Sequence, residues 1–192
     1  MAKVARRASC SKETLYKWFV DRDGLLTATV RWQAAKVQMP ELVRDGLTLA
    51  SFRQGLEQFA VSWLSVITGD ISVALNRMAI AHAGSGKSRL GEIVLYNGPF
   101  AMARRLQPIF ELGREVGLIA FASNGEVFAR FFGLVVGDIQ IRALLGENKR
   151  PGRKAINTIS QQAVAQFLAL YGTPNNSKNG RKASTINKTQ GE

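Results

Sequence analysis

The sequence predicts an all-α fold, with an N-terminal helix-turn-helix subdomain followed by a larger helical domain. Three observations lead there. Proline is scarce, and Pro40, Pro99, Pro108, Pro151 and Pro174 fall mostly where helical patterns begin, break or end. Alternating β-branched runs, the mark of a half-buried strand, are hard to find. Two long stretches carry the helical signal most clearly. The first holds Val127, Phe128, Phe131, Phe132, Leu134, Val135, Ile139, Leu144 and Leu145; the second holds Ile156, Ile159, Ala163, Val164, Phe167, Leu168 and Tyr171.

Helices are expected near residues 2–8, 12–18, 22–37, 49–67, 70–82, 87–95, 99–116, 124–146 and 156–171. In the first, Val4, Ala5 and Ala8 make an apolar face. In the second, Ser11 is a good N-cap, and Leu15 and Phe19 at i, i+4 pin the helix to its neighbours while Lys12, Thr14 and Lys17 point outward. A short helix with small polar and basic outer residues suits a DNA major groove. Asp21 can cap the third helix, with Leu25, Leu26 and Val30 facing inward and Arg22 in the first turn, near a flanking phosphate backbone. Residues 124–146 are apolar around much of the helix and should be buried on two sides, as a subunit interface requires; residues 156–171 show one buried face.

Composition sets bounds on function. An apolar share of 46% with 21% charged residues belongs to a folded chain, and 192 residues hold one domain plus an appendage or two packed subdomains. The 26 Lys and Arg against 14 Asp and Glu give a formal charge of +12, which favours a polyanionic partner such as nucleic acid or an anionic membrane surface. Within residues 1–22 the basic side chains are Lys3, Arg6, Arg7, Lys12, Lys17 and Arg22, against Glu13 and Asp21. No apolar run approaches the roughly 18 residues that span a bilayer, and no secretion signal opens the chain, so a cytoplasmic protein without a membrane partner is expected. One cysteine, Cys10, and one histidine, His82, exclude an internal disulfide and a His/Cys metal cluster. Catalysis of the Ser/His/Asp or Cys/His type would have to run through His82, which has no nucleophile motif around it. No catalytic residue, metal or cofactor is expected, and the chain does not read as an enzyme.

Other features have two readings. Phe59, Trp63, Met78, Tyr96, Phe100, Phe110 and Phe128 could line an effector cavity between central helices or simply fill core. Gly84-Ser-Gly-Lys-Ser88 resembles a phosphate loop, but Ala81 stands where that motif needs its first glycine and no buried strand precedes it, so an interhelical loop is expected. His82 at a helix end reads as a capping or surface residue. The basic tail, residues 173–192, has too little apolar surface to offset its ordering entropy and is expected to be disordered.

The segment Val4-Ala-Arg-Arg-Ala, then Ser11-Lys-Glu-Thr-Leu-Tyr-Lys-Trp-Phe19, then Arg22-Asp-Gly-Leu-Leu26 closely resembles the DNA-binding region of TetR/AcrR-family regulators. The rest resembles that family's tetracycline-repressor-like ligand-binding and dimerisation domain more loosely, through Leu75–His82, Leu90–Pro99 and Gly117–Gly146. The resemblance implies that Thr14 and Lys17 face bases and that Lys12, Tyr16 and Arg22 lie on phosphates, with Ser11 and Glu13 completing the DNA-facing set. It also implies a homodimer on a double-stranded palindromic operator, a small apolar effector and repression. The implied domains are residues 1–40, 41–172 and the tail 173–192.

The chain departs from the family pattern in two ways, at Ser9 and in its missing first helix. Ser9 stands at the usual turn glycine, a position tending to positive φ where a Cβ costs about 1 kcal/mol. Cys10 fills a small apolar slot and is read as a buried packing residue. The family's first helix has no counterpart ahead of Met1, so the DNA-binding domain is expected to be truncated. Two other readings follow: a truncated member that dimerises without binding DNA, and a nucleotide-hydrolysing enzyme acting through Lys87.

Overall fold

A computed structural model describes residues 1–83, 89–147 and 150–174. The expectations for Gly84–Ser88 and for the tail beyond Pro174 fall outside these residues. The described chain is all-α as expected, with ten helices: α1 (Ala2–Arg7), α2 (Lys12–Phe19), α3 (Arg22–Ala35), α4 (Leu49–Ile67), α5 (Asp70–Ala81), α6 (Leu90–Asn97), α7 (Pro99–Glu115), α8 (Asn124–Val136), α9 (Ile139–Leu144) and α10 (Arg153–Tyr171). The chain divides into two compact units, each made of three segments.

The first unit comprises Met1–Gln38, Ser62–Arg104 and Asp138–Pro151. Here α3 packs against α6 and α5, α5 against α9, α2 against α3, and α1 against α2. Helical spacing puts Val30, Gln33 and Val37 on the buried side of α3 and its C-terminal extension, while α5 buries Val73, Leu75 and Ala79. The C-terminal end of α9 is held by α5. Arg77 donates from Nε to the Leu144 carbonyl at 2.9 Å and from Nη2 to the Ala143 carbonyl at 2.8 Å, satisfying oxygens with no partner inside their own helix. Arg150 forms an ion pair with Asp70 at the start of α5.

The second unit comprises Met39–Val61, Arg105–Gly137 and Gly152–Glu192. Its centre is an aromatic cluster. Phe131 on α8 has ring centroids 5.1 Å from Phe167, 5.5 Å from Phe110 and 6.1 Å from Phe59. All four side chains are essentially buried, each contributing on the order of 1.5–3 kcal/mol of apolar transfer. Gly113 permits the close approach of α7 to α4, because a Cβ there would sit 2.6 Å from Cζ of Phe52. The end of α10 is tied to the α7–α8 connection: the Ala120 N–H donates to the Tyr171 carbonyl at 2.8 Å and the Thr173 N–H to the Leu118 carbonyl at 3.2 Å.

The structure corrects several boundaries. The helix expected over 124–146 is two, because Gly137 at φ 48° leaves the right-handed region and ends α8 before α9 begins. The α6 helix starts at Leu90 rather than near 87, and α10 starts at Arg153 rather than near 156. Pro108 lies inside α7, which runs through it. His82 is the C-cap residue of α5, as expected for a helix end.

Candidate nucleic-acid interface

The first turn of the motif depends on Ser9. Helix α1 ends at a Schellman arrangement: the Cys10 N–H donates to the Ala5 carbonyl at 3.1 Å and the Ser9 N–H to the Arg6 carbonyl at 3.3 Å. This geometry needs a left-handed residue at position 9, and Ser9 has φ 50°, as its place in the turn predicted. The apolar face of α1 is narrower than expected, since Ala5 alone is buried while Val4 and Ala8 are exposed. Cys10 is half-buried rather than buried, because the turn that carries it lies at the surface.

Helix α2 begins at Ser11, whose Oγ accepts from the Thr14 N–H at 3.1 Å and lies 3.1 Å from the Thr14 Oγ1. Leu15 is buried and Phe19 half-buried, so this pair anchors the helix. The opposite face leaves Ser11, Lys12, Glu13, Tyr16 and Lys17 exposed and Thr14 half-buried. The Lys12 ammonium lies 5.6 Å from the Tyr16 ring centroid, so the two form one cationic, aromatic edge. The Glu13 carboxyl is held below the usual carboxylate range by its own backbone N–H and by the Ser11 hydroxyl, and so stays ionised within the N-terminal turn.

The junction between α2 and α3 is tight. Val20 has φ 64° and ψ −57°, and around it the Asp21 N–H donates to the Phe19 carbonyl at 2.7 Å. These are the marks of a γ-turn of the rare, strained hand. Asp21 caps α3 as expected, its Oδ1 accepting from the Gly24 N–H at 2.7 Å. Arg22 is exposed in the first turn. Lys12, Tyr16, Lys17 and Arg22 thus lie on α2 and at the start of α3, exposed and within one short stretch of chain.

Sequence reasoning missed three residues here. Trp18 is 64% exposed with its ring edge-on to Phe19, Val20 is 79% exposed in its strained turn, and Gly24 lies against the Phe19 carbonyl. Only Gly24 left a signal, a glycine in the first turn of a capped helix.

The aromatic and Met set is divided between the two units. Phe59 and Phe110 are buried against Phe131 in the second unit, and Phe128 pairs with Phe132 at 6.2 Å on the half-buried side of α8. In the first unit Trp63 is buried, and Tyr96 and Phe100 meet edge to face at 5.6 Å on the surface, where Met78 is also exposed.

Residues 54–173 match the family described as AefR-like transcriptional repressor, C-terminal domain. A TetR transcriptional regulator from Agrobacterium tumefaciens is 39% identical, with a TM-score of 0.78 over 92% of this chain and 86% of that one. This chain belongs to the TetR family. A TetR-family regulator from Mesorhizobium loti has the same fold, at 24% identity and TM-score 0.73 over 88% of this chain and 85% of that one. The flavonoid-responsive regulator FrrA is 25% identical with TM-score 0.70, over 91% and 87% of the two chains. No curated protein matches the chain in sequence. For a TetR-family chain, α1 and α2 are the helix-turn-helix, and α3 leads from it into the rest of the first unit.

Proposed function

We propose that this TetR-family chain is a ligand-responsive DNA-binding repressor, acting in the cytoplasm as a homodimer on a palindromic operator, and is not an enzyme. The observation that supports the reading is the outer face of α2. It is N-capped, anchored by Leu15, and leaves Lys12, Tyr16 and Lys17 exposed, with Arg22 next along the chain. Lys12, Tyr16 and Arg22 contact phosphates and supply salt-dependent affinity; Thr14 and Lys17, with Ser11 and Glu13 beside them, face the bases and set specificity. The domains are residues 1–40 for DNA, 41–172 for effector and dimer, and a basic tail.

Two chains pair through α8 and α10, placing their recognition helices about 34 Å, one DNA turn, apart. Phe128, Phe132 and Leu134 on α8 are only half-buried in the single chain, which leaves apolar surface for that pairing. The effector reading rests on the flavonoid response named for FrrA and, within the first unit, on Trp63, Met78, Tyr96 and Phe100, while Phe59 and Phe110 pack against Phe131 in the second unit. On that likeness the effector is a small, largely apolar aromatic molecule bearing oxygen. Its higher affinity for a state with the wrong recognition-helix spacing releases DNA.

Titrating salt against binding to the intergenic DNA upstream of the gene tests the reading. Log affinity should fall steeply with log salt. Lys17→Ala should relax sequence preference, whereas Arg22→Ala should weaken all sequences alike and lower the salt slope by about 1. A dimer that binds no DNA at any salt would favour the dimerisation-only alternative, and a changed operator preference in Arg22→Ala would overturn the sorting of contacts.

A further inference from the structure

Gln33 lies on the buried side of α3 between Val30 and Val37, and is 7% exposed. Its Nε2 has no hydrogen-bond partner among the described residues. A primary amide carries two N–H donors, and burying them without an acceptor forfeits the bonds they made in water. A Leu or Met at this place would fill the same volume without that loss, so the amide costs the ligand-free fold stability. Helix α3 packs against α5 and α6, and the same unit leaves apolar side chains incompletely covered: Met78 on α5 is 38% exposed, Tyr96 on α6 61% and Phe100 on α7 46%. A buried donor without an acceptor, in a unit with uncovered apolar side chains, matches a ligand that is apolar over most of its surface and carries one acceptor.

We infer that Gln33, at the end of the DNA-binding segment where α3 packs on α5 and α6 of the effector domain, is the polar anchor of the effector site, its Nε2 donating to a carbonyl-type oxygen on an otherwise apolar aromatic ligand. The inference rests on the effector-responsive reading above. Among the described residues, the other buried side-chain polar atoms without partners are Asn124 Oδ1 and Ser160 Oγ, and both differ from Gln33. Asn124 already uses its Nδ2 on Glu111, and Ser160 carries a hydroxyl that can rotate. In Gln33 the atom that lacks a partner is the amide nitrogen, which can only donate. It therefore discriminates among ligands by whether they present an acceptor, as buried polar groups do when one analogue leaves them unpaired.

The test uses the full chain and two probes, flavone, which has a ring carbonyl, and flavan, which has the same rings without it. Dissociation constants are measured by titration calorimetry for the wild type and Gln33→Met, with melting temperatures of the ligand-free proteins. Gln33→Met should melt higher than the wild type, bind flavone about tenfold more weakly, and bind flavan as the wild type does. Equal flavone affinity in both proteins would overturn the role of Gln33 while leaving an effector-responsive regulator intact. A lower melting temperature with unchanged flavone affinity would show that the amide serves a buried water, and would also overturn it. If the wild type binds neither probe, the effector class proposed above fails and this assignment fails with it. Gln33→Leu also removes the donor and brings no charge, so it should lose flavone affinity too; it decides the matter if Gln33→Met does not fold.

Discussion

A Cβ on Gly24 would sit 1.9 Å from the carbonyl oxygen of Phe19. The end of α2 and the first turn of α3 therefore meet at a distance that only glycine allows, and the obstructing atom is backbone, which cannot swing aside. Gly24→Ala should cost about 1–3 kcal/mol, as overpacking does, and weaken DNA binding by opening the junction that carries Arg22. Gly125→Ala is the control, because a Cβ there meets nothing closer than Ser123 Oγ at 3.7 Å. Equal drops in melting temperature for the two variants would refute the argument.

Ser9 and Val20 both hold left-handed backbone, at φ 50° and 64°. Glycine relieves a Cβ penalty of roughly 1–2 kcal/mol at such a position and gives back roughly 0.5–1 kcal/mol in unfolded-chain entropy. Val20→Gly should therefore raise stability by up to about 1 kcal/mol, with Ser9→Gly similar or smaller. Urea midpoints measure both, and a lowered midpoint for Val20→Gly would mean that its γ-turn carries little strain.

Arg77→Ala removes the side-chain donors to the Leu144 and Ala143 carbonyls and leaves Ala143 the Gly146 N–H. The expected loss is about 1–2 kcal/mol, modest because Arg77 is exposed and water can reach the freed carbonyls. Amide exchange should quicken in α9 before it does in α3. Uniform quickening throughout the first unit would show instead that α9 is part of one cooperative block with it.

Glu111 predicts a pH dependence in the second unit. Gln107 and Asn124 donate to its Oε1, each at 2.8 Å, and these bonds hold its carboxyl below the usual glutamate range. A lowered native value means that the stabilisation is present at pH above the unfolded value and is lost as pH falls through the native one. The melting-temperature gap between wild type and Glu111→Gln should narrow on acidification. A gap constant with pH would locate the effect of the substitution in packing and not in charge.

The sequence showed the helix-turn-helix in detail because each part has a chemical marker. Ser11 and Asp21 are capping residues, and both cap; Ser9 stands in a turn that needs positive φ, and has it. The Gly137 break was invisible because Val135, Val136 and Ile139 keep an apolar pattern across it, and side-chain periodicity carries no information on the sign of φ. Val20 was invisible for the opposite reason: β-branched residues are the last expected in such a turn. For Phe59 and Phe110, helical spacing is the same for a cavity wall as for a core, and packing against Phe131 became visible only in three dimensions.

Each unit takes three separated stretches of chain, and the stretches alternate along the sequence. During synthesis, α1 to α3 emerge well before α6, against which α3 packs, and Asp138–Pro151 completes that unit later still. At about 5–20 residues per second, α1 to α3 stay without their packing partners for several seconds. This early segment is thus among the last to be secured, and a peptide ending near residue 40 would lack the α5 and α6 surfaces that hold α3, so α2 should keep its fold only within the longer chain.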